Sequence, residues 1–257
     1  MADDRPSART AGFYYLERSI RRKQSAGWVY TDMTFQETLV YLWEIATPTI
    51  LRATVVTIQL WAVTIVFAVP LGLPIAFGEI SKIAPIRWLC KAYVFVFRGT
   101  PLILQLWFFY FFFPIALNIS LPAFPTAALT FVLNYAAYIA EIYRGGINSI
   151  DHGQYEASHS LGLSKTQEMF DVVIPQMMRV VLPGVANEAI LLIKDTALAS
   201  VITLQEIMRV SESMVNRDFV LAVYVVAAIV YMFFTFITQT IADKVEKHFS
   251  KYDEREE

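Results

Sequence analysis

The sequence predicts an all-α polytopic membrane protein with about five transmembrane helices. Three observations predict it. Only 17% of the 257 residues are charged and 56% are hydrophobic, whereas soluble domains run near 25% charged. The charges fall in blocks separated by long uncharged stretches, residues 53–78, 99–140 and 219–242. A hydrocarbon core about 30 Å thick needs roughly 20 apolar helical residues, so each stretch is long enough to cross it.

Residues 1–33 read as a polar, mobile extension. They lack an apolar signal-peptide region, and Arg21, Arg22 and Lys23 come late rather than early. Residues 34–47 follow as a short helix. Thr34-Phe35-Gln36-Glu37 fits a capping box, and Phe35, Leu39, Leu42 and Ala46 share one face. The helix is expected to stop before Pro48. It reads as an interfacial amphipathic helix or equally as an ordinary amphipathic surface helix.

Residues 50–245 form the transmembrane domain, with spans at about 54–78, 88–113, 126–144, 178–204 and 219–242. Gly72 between Pro70 and Pro74 predicts a kink in the first. The second carries the run Trp107 to Phe113, an aromatic belt at an outer interface and an aggregation hazard in water. Asn118, Pro122 and Pro125 divide the long uncharged stretch into two spans. In the third, Ala136 and Ala140 make a small-residue step suited to close helix packing. In the fourth, Val180 to Gln205 is apolar except for Glu188, Lys194 and Asp195, which must face protein or water. Residues 246–257 are a charged cytoplasmic tail.

Lysine and arginine in the short loops set the orientation. Lys82, Arg87 and Lys91 lie in the first loop, none in the second, Arg144 and Lys165 in the third, and Lys244, Lys247, Lys251 and Arg255 in the tail. The fourth loop has Arg209 and Arg217. The balance places the N-terminus outside and the C-terminus in the cytoplasm. Arg18, Arg21, Arg22 and Lys23 oppose this but lie about thirty residues before the first span.

Several functions are excluded. A formal net charge of −2 gives no nucleic-acid surface. A single cysteine, Cys90, rules out a disulfide framework and a multi-cysteine metal site. There is no phosphate-binding Gly-x-x-x-x-Gly-Lys-Ser/Thr and no His-Glu-x-x-His. The three histidines (His152, His159 and His248) fall in loops or the tail and read as exposed surface residues. No catalytic constellation or cofactor site is visible.

The loop at 150–170 is the most structured of the connections. Asp151-His152-Gly153-Gln154 fits a capping box for a short helix that ends at Gly162, and Ser164-Lys165-Thr166-Gln167 fits another. Leu161, Leu163, Met169 and Phe170 would give this two-helix bracket an apolar docking surface.

Glu156-Ala157-Ser158, three further residues, Gly162 and then Ile174-Pro175 resemble the coupling loop of ABC-importer permease subunits, with serine where the family has alanine. Phe97-Arg98-Gly99-Thr100-Pro101-Leu102 with Gln105-Leu106 looks like the signature of polar amino-acid permeases of the histidine/glutamine/arginine type. Glu141 to Ile147 with Ser149, Gly153 and Gln154, and Lys194 to Ser200, resemble two further motifs of that family. The four lie in family order over residues 50–245.

The resemblance implies a type I ABC-importer permease fold in a prokaryotic plasma membrane, the inner membrane of a Gram-negative cell. Its partners would be a second copy or a homologous permease, two ATPase subunits holding ATP and Mg, and an extracytoplasmic solute-binding protein that delivers a polar amino acid. Gly153, Gln154, Glu156, Ala157, Ser158, Gly162 and Leu163 would contact the ATPase. Candidates for the substrate path or gate are the intramembrane polar residues Arg98, Gln105, Asn134, Glu141, Asn187, Glu188, Lys194 and Asp195, with Thr100, Pro101 and Thr196 from the motifs. Glu188 and Asp195 share one helix face, Asn187 and Lys194 another. The same charges equally suit internal pairing, with Arg98 or Lys194 neutralised by Glu141, Glu188 or Asp195. The alternative function is a secondary transporter or channel working without ATP.

Overall fold

The computed structural model describes residues 34–119 and 121–250. The extension at 1–33 and the tail beyond 250 lie outside the described residues. Eight helices are α1 (Phe35–Ile80), α2 (Ala84–Gly99), α3 (Leu102–Leu117), α4 (Ala123–Asn148), α5 (His152–Ser160), α6 (Ile174–Asp195), α7 (Ile207–Asp218) and α8 (Val223–Ser250). No strand occurs among the described residues. Three helices, α1, α4 and α8, are long and apolar enough to cross a membrane, and α2 with α3 makes a fourth if the pair is one span. The expected fourth span at 178–204 falls on α6 and the 3₁₀ segment Thr196–Ile202 that continues it.

The Thr34 capping box forms as expected: the Thr34 hydroxyl accepts from the Glu37 N–H, and the Glu37 carboxylate accepts from the Thr34 N–H at 2.8 Å. The helix does not stop at Thr47. It passes Pro48 through a π-helical stretch, Leu42–Ala46, in which the Thr47 N–H bonds back to the Leu42 carbonyl. Proline in a regular helix loses one hydrogen bond and drives its ring into the carbonyl four residues back. The widened turn absorbs both effects. The same device recurs at Glu168–Val173, just ahead of Pro175. The second short helix of the bracket is therefore a single turn, Lys165–Gln167, that runs on into α6.

Around Gly72, where a kink is expected, the helix is not interrupted. Pro70 and Pro74 lie inside α1 without a break. A Cβ on Gly72 would sit 2.7 Å from Ile139 Cγ2 and 3.1 Å from the Ala140 backbone nitrogen, so the glycine serves close approach to α4.

The second span, expected as one helix over 88–113, is instead broken. The axes of α2 and α3 differ by 108°. The reason is local. Thr100 precedes a proline and takes extended backbone, φ −117° and ψ 144°, as the residue before proline is pushed to do.

The chain divides into two compact units. One holds residues 34–56 and 205–232. Within it the buried Tyr41 donates its hydroxyl to Asp218, which also pairs with Arg217 at 2.7 Å. Glu206 caps α7 by accepting from the Met208 and Arg209 amides at 2.8 and 2.6 Å, and it receives the Tyr231 hydroxyl at 2.8 Å. The other unit holds residues 57–204 and 233–250 and is built around α4, which packs on α2, α3 and α6. Its Ala136 and Ala140 are fully buried, as the small-residue step predicts.

Candidate functional site

The break between α2 and α3 creates the site. Breaking a helix at membrane depth leaves carbonyls that must find donors within the protein. Gln105, one turn into α3, sends its amide hydrogens to the Phe97 carbonyl at 2.9 Å and to Thr100 O and Oγ1 at 3.1 and 2.8 Å. Asn134 of α4 donates to the same Phe97 carbonyl at 3.1 Å and to Gln105 Oε1 at 3.0 Å. These two amides hold the corner open. Of the pair, Gln105 is confined to this bracing role, while Asn134 also faces the space beside it.

That space is a cavity of about 420 Å³. Arg98, Gly99, Thr100 and Pro101 line it from the corner, Asn134, Tyr135 and Tyr138 from α4, and Glu188 and Asp195 from α6. Six of the eleven sequence candidates thus come together: Arg98, Thr100, Pro101, Asn134, Glu188 and Asp195. The seven-residue spacing of Glu188 and Asp195 puts both on one wall. Asn187 and Lys194 occupy the other, exposed face, and Lys194 makes no ion pair among the described residues. Thr196 is buried, with its hydroxyl donating to the Ile193 carbonyl at 2.6 Å. Glu141 lies outside this cavity. It accepts from Arg144 and stands 3.5 Å from Arg98 Nη1, so the internal pairing expected for Arg98 and Glu141 exists.

Two polar aromatic residues of the lining, Tyr135 and Tyr138, were not among the candidates. Tyr135 is 2% exposed and donates its hydroxyl to Asp195. Tyr138, three residues on, presents its ring to the Arg98 guanidinium at 5.5 Å, within cation–π range. Aromatic side chains on an apolar helix read as packing. Their alignment with Asn134 on the face opposite the Gly-Thr-Pro corner was the available signal.

The loop after α4 forms a braced bracket. Asp151 caps α5 through the Gly153 N–H, but Gln154 does not close the expected box, since its Oε1 accepts from Gln176 Nε2 at 3.0 Å. Gly162 ends the turn at φ +74°, a left-handed conformation that favours glycine. The Ser164–Gln167 box is complete. His159 Nε2 meets Glu168 Oε2 at 3.0 Å across the turn. Gly153, Gln154, Glu156 and Ala157 are exposed, Leu163 is half-buried, and Ser158 is buried with its hydroxyl on the Gln154 carbonyl. Leu161 is 80% and Phe170 57% exposed, leaving an apolar face on the bracket.

Residues 68–251 match the family model described as the binding-protein-dependent transport system inner membrane component. The chain is 37% identical over 198 residues to the L-cystine transport system permease protein TcyB of Bacillus subtilis (strain 168), covering 76% of this chain and 84% of that one. It is 34% identical over 207 residues to the arginine transport system permease protein ArtQ of the same organism, covering 80% and 94%. A solved amino acid ABC transporter with histidines superposes with a TM-score of 0.76 at 30% identity, over 85% of this chain and 100% of that one. The MetNI methionine ABC transporter shares the fold, with a TM-score of 0.64 at 16% identity. The chain is a membrane protein that belongs to the family of binding-protein-dependent transport system inner membrane components.

Proposed function

We propose that this chain is the permease subunit of an ATP-driven importer and translocates a polar amino acid delivered by an extracytoplasmic solute-binding protein. The observation that carries the reading is the cavity at the α2–α3 corner. A zwitterion needs an acceptor for its ammonium group and a donor for its carboxylate. Glu188 and Asp195 offer the first and Arg98 the second, in one space bounded by irregular backbone. Irregular backbone at membrane depth is tolerated where it lines a cavity. The relatives named for cystine and arginine transport agree with a polar amino acid.

The exposed bracket at 150–170 is where two separate ATPase subunits, carrying ATP and Mg, would grip. Glu156 and the Leu161–Phe170 apolar face supply the contact. A second copy or a homologous permease completes the path, and the C-terminus lies in the cytoplasm. The test is uptake by liposomes. Co-reconstituted with its ATPase and binding protein, the chain should concentrate amino acid only when ATP is present on the bracket side. Concentrative uptake by the chain alone would defeat the reading in favour of a secondary transporter.

A further inference from the structure

A second cavity, of about 510 Å³, opens on the other side of Arg98. Glu79 and Lys91 line it, together with Arg98, Glu141 and Arg144. Three of these five charges answer one another, since Glu141 holds both Arg144 and Arg98. The remaining two lie in the field of the others but make no ion pair among the described residues. Glu79 is 5% exposed, and its Oε2 is buried without a hydrogen-bond partner among the described residues. An ionisable oxygen left in that state is costly unless a donor arrives. Lys91 is exposed and makes no ion pair among the described residues. One cavity therefore presents an acceptor without a hydrogen bond and an ammonium donor without an ion pair among the described residues, beside a cluster neutral within itself except for one positive charge.

We infer that this cavity is a second subsite for the transported amino acid, in which Glu79 Oε2 accepts from the α-ammonium group and Lys91 Nζ donates to the α-carboxylate. The inference rests on the amino-acid reading above and adds a second station to it. Arg98 belongs to both cavities. Its guanidinium is held by Glu141 on the Glu79 side and by the Tyr138 ring on the Asp195 side. A carboxylate bound at Arg98 in the first cavity is thus already at the boundary of the second. Lys82, Arg87 and Lys91 place the second cavity toward the cytoplasmic end, so the two stations lie in the order of import.

The test counts bound amino acid per chain by equilibrium dialysis. It uses the full chain in lipid nanodiscs with radiolabelled L-arginine, L-glutamine and L-cystine in turn. Wild type should bind two molecules of at least one of these. Glu79→Gln, which keeps the side-chain shape, should bind one, and so should Lys91→Gln, whose exposed position leaves packing untouched. Asp195→Asn should also bind one, by losing the first site instead. One molecule in wild type, lost in Asp195→Asn and kept in Glu79→Gln, would overturn the second subsite and leave the proposed function standing. Two molecules in wild type and still two in Glu79→Gln would likewise overturn it. No binding of any of the three would overturn both.

Discussion

Tyr135 donates its hydroxyl hydrogen to Asp195 Oδ2 at 2.7 Å, tying the middle of α4 to the last residue of α6 across the cavity. A hydrogen bond to a charged group contributes about 1.5–3 kcal/mol. Tyr135→Phe keeps the ring that stacks on Phe131 and removes only that bond. The expected result is a several-fold rise in the KM of uptake and a lowered thermal midpoint. Adding Asp195→Asn to Tyr135→Phe should cost less than the two single changes summed, as residues in one network behave. Strict additivity, or an unchanged KM, would separate Tyr135 from the substrate path.

Gly72 makes a packing prediction. Its missing Cβ would approach the Ala140 backbone nitrogen at 3.1 Å, and backbone cannot rotate away. Gly72→Ala should destabilise the protein by about 1–3 kcal/mol, the usual range for overpacking, despite the helix propensity that alanine adds. Ile139→Val should not recover the loss, because it removes only Cδ1 and keeps both the Cγ2 at 2.7 Å and the backbone contact. Thermal unfolding in detergent measures both. A more stable Gly72→Ala would mean that α1 and α4 have room to separate.

These two sites show what was legible in the chain and what was not. Local chemistry was: the Thr34 and Ser164 caps form because every partner lies within four residues. Asp151 forms a cap but no box, because Gln154 is drawn to Gln176, twenty-two positions away. Helical periodicity placed Glu188 and Asp195 on one wall. The 108° corner at Thr100-Pro101 was hidden by the apolar run on both sides, although the residue pair itself is a helix breaker. Pro48 misled in the opposite direction, since a π turn is a response of the backbone that no residue type announces. Tyr135 and Tyr138 gain their roles only from a neighbour on another helix.

Glu206 predicts a pH dependence. Burial pushes its carboxyl from an ordinary 4.5 up to about 7, with the Met208 and Arg209 amides and the Tyr231 hydroxyl pulling the other way. A raised folded-state pKa means that the folded protein holds the proton more tightly than the unfolded chain. The stabilising contribution is full below about 4.5 and is lost as pH rises through about 7. Glu206→Gln cannot ionise, so its stability relative to wild type should climb between pH 5 and pH 8. Parallel stability curves over that range would show that the carboxyl does not titrate there.

Topology is open to chemical labelling. In a Cys90→Ser background, a cysteine at the exposed Lys165 should react with a membrane-impermeant maleimide only from the cytoplasmic side. Ser158 is a poor choice despite its position in the loop, because it is 3% exposed. Reaction of Lys165→Cys from outside would invert the proposed orientation and the order of the two cavities with it.

The bracket makes the last prediction, and its two kinds of variant should part company. Glu156 is exposed, and its backbone carbonyl receives the Ser160 hydroxyl at 2.9 Å. Glu156→Lys reverses a surface charge and leaves the bracket's own contacts in place. Gly162 has open space around its Cβ position, so the penalty there is conformational. An alanine at φ +74° costs about 1–2 kcal/mol. Gly162→Asp adds a charge beside the apolar Leu161, on the face proposed to meet the ATPase. Both variants should insert normally and unfold within a few degrees of wild type, yet lose most ATP-driven uptake. His159→Ala acts on the bracket itself. It removes the contact with Glu168 that joins the two arms, so it should increase proteolysis or hydrogen exchange over 152–170 before it lowers uptake. If Glu156→Lys transported at the wild-type rate while His159→Ala abolished transport, the bracket would matter as a scaffold for α6 and the ATPase would have to grip elsewhere.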